Sequence, residues 1–70
     1  MREYLKQLRE SKGYTLQNVA EQLGISKQYY QMIESGERQK KMDITLIRGL
    51  SSIFGVSLEK IVDEESKLAV

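Results

Sequence analysis

The sequence predicts an all-α fold, a single domain over residues 1–70 built from five short helices. Three observations predict it. Proline is absent from all 70 residues. Apolar side chains recur at steps of three and four, which lines one face of a helix, and not at the alternate positions of a strand. Between these periodic stretches stand glycines and capping side chains, and no Ser-, Gly- or acid-rich tract is long enough for a linker or a repeat.

The first helix is predicted over residues 2–11, burying Tyr4, Leu5 and Leu8 and stopping at "SKG", where Gly13 can turn left-handed. Thr15 caps the second, in which Leu16, Val19, Ala20 and Leu23 follow the i, i+3, i+4, i+7 pattern. Gly24 ends it. Only Gly24 and Ile25 precede Ser26, the cap of the third helix, so the two helices meet steeply through a very short turn. That is helix-turn-helix spacing, over about residues 15–35.

Gly36 closes the third helix and the loop "GERQKKM" follows. Asp43 caps the fourth, whose Ile44, Ile47, Leu50, Ser51 and Phe54 share one side. Gly49 weakens that helix by roughly 1 kcal/mol relative to Ala unless it permits a close contact. Gly55 ends it, and Ser57 caps a fifth helix through Glu64. Residues 65–70, including "SKLAV", are expected to fray.

Such a chain sits near the lower size limit for a core that folds unaided. With no cysteine and no histidine, disulfides, zinc fingers, thiol chemistry and His-based catalysis are excluded. Nothing approaches the roughly 18 apolar residues that span a bilayer, and the first ten residues are charged where a signal peptide would be apolar, so a soluble, cytoplasmic protein is expected. The net charge of +1 divides unevenly. Residues 1–57 hold nine Lys or Arg against six Asp or Glu, and residues 58–70 hold two against four. The body is weakly basic and the tail acidic, which keeps a small protein soluble.

On the third helix, Tyr30 and Ile33 lie on one side, the natural core face, while Gln28, Gln31, Met32 and Ser35 lie opposite, and Lys27 projects from the start. Amides suit groove readout. Gln can bond the N6 and N7 of adenine, Lys can reach guanine O6 and N7, and Met can touch a thymine methyl. An ordinary polar helix surface also accommodates two glutamines. Tyr29 falls at the edge of the core face, where its hydroxyl either meets a phosphate or stays in water. Arg38, Lys40 and Lys41 crowd the following loop, beside the position of a groove wall.

The segment "LRESKGYTLQNVAEQLGISKQYYQMIESGER", continued by "LSSIFGVSLEKIV", resembles the phage-repressor and Cro type of helix-turn-helix domain, the XRE family. The most specific parts are "VAEQLGIS", "IESGER" and "FGVSLEKI". The resemblance implies a compact five-helix, repressor-like DNA-binding domain whose second helix crosses the DNA backbone and whose third enters the major groove. Carried onto this chain, Lys27, Gln28 and Met32 read bases, and the helical wheel adds Gln31. Thr15, Gln17, Ser26, Tyr29, Arg38, Lys40 and Lys41 fall to the DNA backbone.

The family commonly pairs an arginine of the first helix with the glutamate closing the third, here Arg9 and Glu34. It also places a glutamine directly after the cap of the second helix, where this chain has Leu16, which can bond no phosphate. Small members dimerise through the fourth and fifth helices, which singles out Leu58, Ile61 and Val62.

A sequence-specific transcriptional regulator of double-stranded DNA follows as the expectation: a repressor binding a near-palindromic operator as a homodimer, with no cofactor and no metal. Two alternatives share the fold, an antitoxin that also sequesters a toxin and an adaptor that has lost DNA. Catalysis is not expected. Asp63, Glu64 and Glu65 are acidic neighbours without a nucleophile and base beside them, and solvation accounts for them.

Overall fold

Four of the five helices begin where a side chain accepts the first free amides. The computed structural model describes residues 1–68, arranged as α1 (Glu3–Ser11), α2 (Leu16–Leu23), α3 (Lys27–Ser35), α4 (Ile44–Phe54) and α5 (Leu58–Leu68), and no strand occurs among them. Thr15, Ser26, Asp43 and Ser57 accept from the amides of Asn18, Tyr29, Leu46 and Lys60 respectively. In α2 the cap is reciprocal, because the Asn18 carboxamide oxygen accepts from the Thr15 amide at 3.1 Å. The start of α1 has no such cap. Its Arg2 amide instead donates to the Glu34 carbonyl at 2.8 Å, so the chain's beginning is tied to the end of α3.

Every helix contributes to one core: Leu5 from α1, Val19 and Ala20 from α2, Tyr30 and Ile33 from α3, Leu46, Leu50 and Phe54 from α4, and Ile61 from α5. Burying each large side chain contributes about 1.5–3 kcal/mol before the entropy of ordering is counted. Gly24 turns left-handed at φ 73° and lets α3 fold back over α2 within three residues. Gly49 serves packing. A Cβ there would stand 2.8 Å from a Leu23 methyl, so the missing side chain leaves room for Leu23 where α2 meets α4.

Three expectations are corrected. In α4 the inward residues are Leu46, Leu50 and Phe54, spaced by four, and Ile44 is 65% exposed. The face expected from Ile44 and Ile47 is rotated because Leu46 turns inward with Leu50, while Ile47 packs only at the core's edge. Ile61 is fully buried, which removes it from the surface proposed for a partner. Finally, α5 does not end at Glu64. It continues to Leu68, held by ion pairs from Glu64 to Lys60 and Lys67, each at 3.3 Å, and by an anchor at Glu65 described below. Residues 65–68 of the expected frayed tail are therefore helical, and residues 69–70 lie outside the described residues. No helix among the described residues is long and apolar enough to cross a membrane.

Candidate nucleic-acid interface

Helix α3 has two unlike sides. Tyr30, Ile33 and Glu34 point inward and are buried, whereas Lys27, Gln28 and Gln31 are exposed. Met32 is half-buried, so part of its side chain stays on the outer face. Ser35 is spent locally, its hydroxyl donating to the Met32 carbonyl at 3.0 Å. The outer face near the start of α3 thus offers two carboxamides and one ammonium, with no carboxylate among its exposed residues.

The inner side is fixed by charge. Arg9 Nε donates to Glu34 Oε2 at 2.8 Å and Nη2 to Oε1 at 3.4 Å, a side-on pair, while Nη1 donates to the Tyr14 carbonyl at 3.1 Å. The Glu34 hydrogen bond holds the Arg9 guanidinium above its ordinary pKa against the opposing effect of burial. This pair joins α1 to the last turn of α3. Burial raises the phenol pKa of Tyr30, and the charge of the Glu34 carboxylate raises it further. Even so, among the described residues no hydrogen bond of ordinary length and angle reaches the buried Tyr30 hydroxyl.

The basic loop is ordered by residues that sequence reasoning missed. Arg2 is only 3% exposed. Its Nη1 donates to the carbonyls of Ile33 at 2.6 Å and Arg38 at 3.1 Å, its Nη2 to the Gln39 carbonyl, and its Nε to both Glu65 oxygens at 2.9 and 3.1 Å. Tyr4 donates its hydroxyl to the same carboxylate. Burial and that bond push the Tyr4 phenol pKa well above its ordinary value. Glu65 was assigned to solvent, but it is the counter-charge that lets a guanidinium sit inside the protein. Nothing local in the sequence signals this, since the partners stand at opposite ends of the chain.

Through these bonds Arg38, Lys40 and Lys41 lie exposed on a backbone that turns directly off α3. The amides of Glu37 and Arg38 both donate to the Met32 carbonyl, at 2.9 and 3.2 Å, which sets the loop beside the outer face. Gln39 holds the loop from within. Its Nε2 donates to the Tyr29 hydroxyl at 2.9 Å, and its Oε1 accepts from the Asp43 amide at 3.3 Å. Tyr29 is half-buried, its oxygen engaged by Gln39 and its own proton free to be given elsewhere.

Thr15 before α2 and Gln17 in its first turn are exposed, as is Ser26 before α3. The Gln17 carboxamide donates along its own helix to Glu21 at 2.9 Å. Leu16 packs at the edge of the core, a structural use of the position where the family pattern has a glutamine. Leu58 and Val62, one turn apart on α5, are 42% and 47% exposed.

Residues 5–61 match a family described as Helix-turn-helix. Over 61 residues the chain is 34% identical to the HTH-type transcriptional regulator SinR of Bacillus subtilis (strain 168), covering 87% of this chain and 54% of that protein. It is 42% identical over 57 residues to an SPbeta prophage-derived uncharacterized HTH-type transcriptional regulator, YonR, of the same organism, covering 81% of this chain and 51% of the relative. Against the uncharacterized HTH-type transcriptional regulator YqaE, also of that organism, identity is 38% over 64 residues, with coverage of 91% and 53%. The chain spans about half the length of these relatives. No solved structure matches. The family match spans the α2–α3 turn and reaches into α5, and the chain belongs to the helix-turn-helix family of the phage-repressor and Cro type.

Proposed function

We propose that this chain is the DNA-binding unit of a transcriptional regulator, reading double-stranded DNA through α3 and holding its phosphates through the loop that follows. One observation carries the reading: an exposed helix face of Lys27, Gln28 and Gln31 without a carboxylate, next to an ordered loop presenting Arg38, Lys40 and Lys41. Amides and an ammonium at a helix start match the donor and acceptor pattern of base edges, and Met32 supplies an apolar contact for a thymine methyl. Thr15, Gln17 and Ser26 lie at the starts of α2 and α3, where exposed hydroxyl and amide groups can bond phosphate oxygens alongside Tyr29. The relatives named as transcriptional regulators support the same role.

One such module covers too few base pairs for strong selectivity. Two copies joined through Leu58 and Val62 on α5 would set their α3 helices about 34 Å apart, in successive major grooves, and read a near-palindromic operator. Occupying such a site represses by blocking a promoter. Selection of duplexes from a random pool tests the reading. Enrichment of a two-fold symmetric motif with half-sites one helical turn apart supports it; a pool that stays random after repeated rounds refutes it.

A further inference from the structure

Gln39 is the only residue other than glycine with a positive φ among the described residues, at 57°. Glycine fills that conformation more easily, so this side chain stands where the backbone disfavours it. What the side chain does is to bridge. It reaches Tyr29 on α3 and the Asp43 amide at the start of α4, while its own carbonyl is gripped by Arg2. A backbone amide can only donate, so the Asp43 contact fixes the carboxamide oxygen on that side and turns the NH2 toward Tyr29. The tyrosine oxygen is then the acceptor, and its proton is directed away from Gln39.

We propose that Gln39 is a positioning residue for DNA binding: it aims the Tyr29 hydroxyl outward and locks the Arg38–Lys41 segment to α3 before DNA arrives. This rests on the DNA-binding reading above. Neither the base-reading side chains nor the loop cations include Gln39, which acts through Tyr29 and through the backbone it pins. A loop held in its bound shape loses little freedom on association, and a phenol with its proton aimed outward needs no reorientation to reach a phosphate. Both effects are blind to base sequence.

The test is a double-mutant cycle of Gln39→Asn and Tyr29→Phe. Asparagine tolerates the left-handed backbone but is one methylene too short to span both partners. Binding is measured across a salt series to a duplex selected by the wild-type chain and to an unrelated duplex of equal length, with melting temperatures recorded. Gln39→Asn is expected to weaken both duplexes alike by about fivefold and to leave the slope of the salt dependence unchanged, since the loop cations still reach their phosphates and the lost contact is to a neutral phenol. In the Tyr29→Phe background the same change is expected to cost less than about twofold. Gln39→Gly, which suits the left-handed backbone, repeats the measurement if the asparagine variant melts early. Unchanged affinity in a folded Gln39 variant, or losses that multiply in the double variant, would overturn this inference alone. A wild-type chain that binds no duplex in a salt-sensitive way would overturn the DNA reading itself.

Discussion

Arg2 and Glu65 stand 63 residues apart in the chain and meet at 2.9 Å, the guanidinium Nε donating to both carboxylate oxygens. The same guanidinium gathers the carbonyls of Ile33, Arg38 and Gln39, so one buried side chain joins α1, the end of α3, the basic loop and α5. A lysine cannot fan out to these acceptors. Arg2→Lys and Glu65→Ala are therefore expected to destabilise by about 2–3 kcal/mol each, and the pair together by less than the sum. Urea unfolding of the two single variants and the double variant measures this; additive losses would show that the residues act separately.

The Arg9–Glu34 pair predicts a comparable loss. Glu34→Ala leaves a largely buried guanidinium without its carboxylate, at an expected cost of about 3 kcal/mol. In a domain of this size that corresponds to a fall in Tm of roughly 12 °C or more. A Glu34→Ala variant melting with the wild type would make the pair decorative.

Two tyrosines give the chain an alkaline limit. Burial first, then the neighbouring carboxylates, raise the phenol pKa of Tyr4 and Tyr30 in the folded state. An unfolded tyrosine ionises near pH 10. Below that pH both states hold the protons and the stabilisation is complete; above it the unfolded chain releases protons that the folded chain retains, so stability falls as pH rises. The expected slope is roughly 1.4 kcal/mol per pH unit for each tyrosine. Tyr30→Phe should flatten it by one tyrosine's share. At neutral pH the same variant should be neutral or slightly stabilising, within about 1 kcal/mol, because it removes a buried hydroxyl that lacks a well-formed hydrogen bond among the described residues. Denaturant unfolding of both proteins on either side of pH 10 checks slope and sign together.

Much of this was legible in the sequence, for local reasons. Thr15, Ser26, Asp43 and Ser57 cap because a hydroxyl or carboxylate oxygen reaches an amide three residues on, a relation that depends on nothing distant. Tyr30 and Ile33 fall inward because one stripe of α3 is apolar. The failures were non-local. Glu65 reads as a solvated charge and Arg2 carries no reading at all until the fold brings them together. The face of α4 was misassigned at Ile44 because apolar residues surround much of that helix, and the wheel alone does not select among them. Ile61 looked available for a partner, yet it closes the core. Gln39 carries no sequence signal at all, since neither its positive φ nor its reach to Tyr29 shows in "GERQKK".

The exposed pair on α5 separates self-association from folding. Leu58→Glu with Val62→Glu places charge on two side chains that are each more than two-fifths exposed, so the fold should be retained. If two copies join there, the double variant is expected to be monomeric by sedimentation and to bind a two-half-site duplex at least about tenfold more weakly than the wild type. Wild-type assembly and affinity in the variant would place the dimer contact elsewhere.

The central claim is a division of labour between the α3 face and the loop, and the salt dependence of binding tests it most directly. Affinity is measured for Gln28→Ala and for Lys40→Ala with Lys41→Ala, on the selected duplex and on an unrelated one. Losing two phosphate contacts should weaken both duplexes by similar factors and lower the slope of log affinity against log salt by about 2. Gln28→Ala should leave that slope unchanged and narrow the gap between the duplexes, by about 1–3 kcal/mol of discrimination. Equal, non-selective losses from both variants, with the slope unmoved in either, would contradict the account.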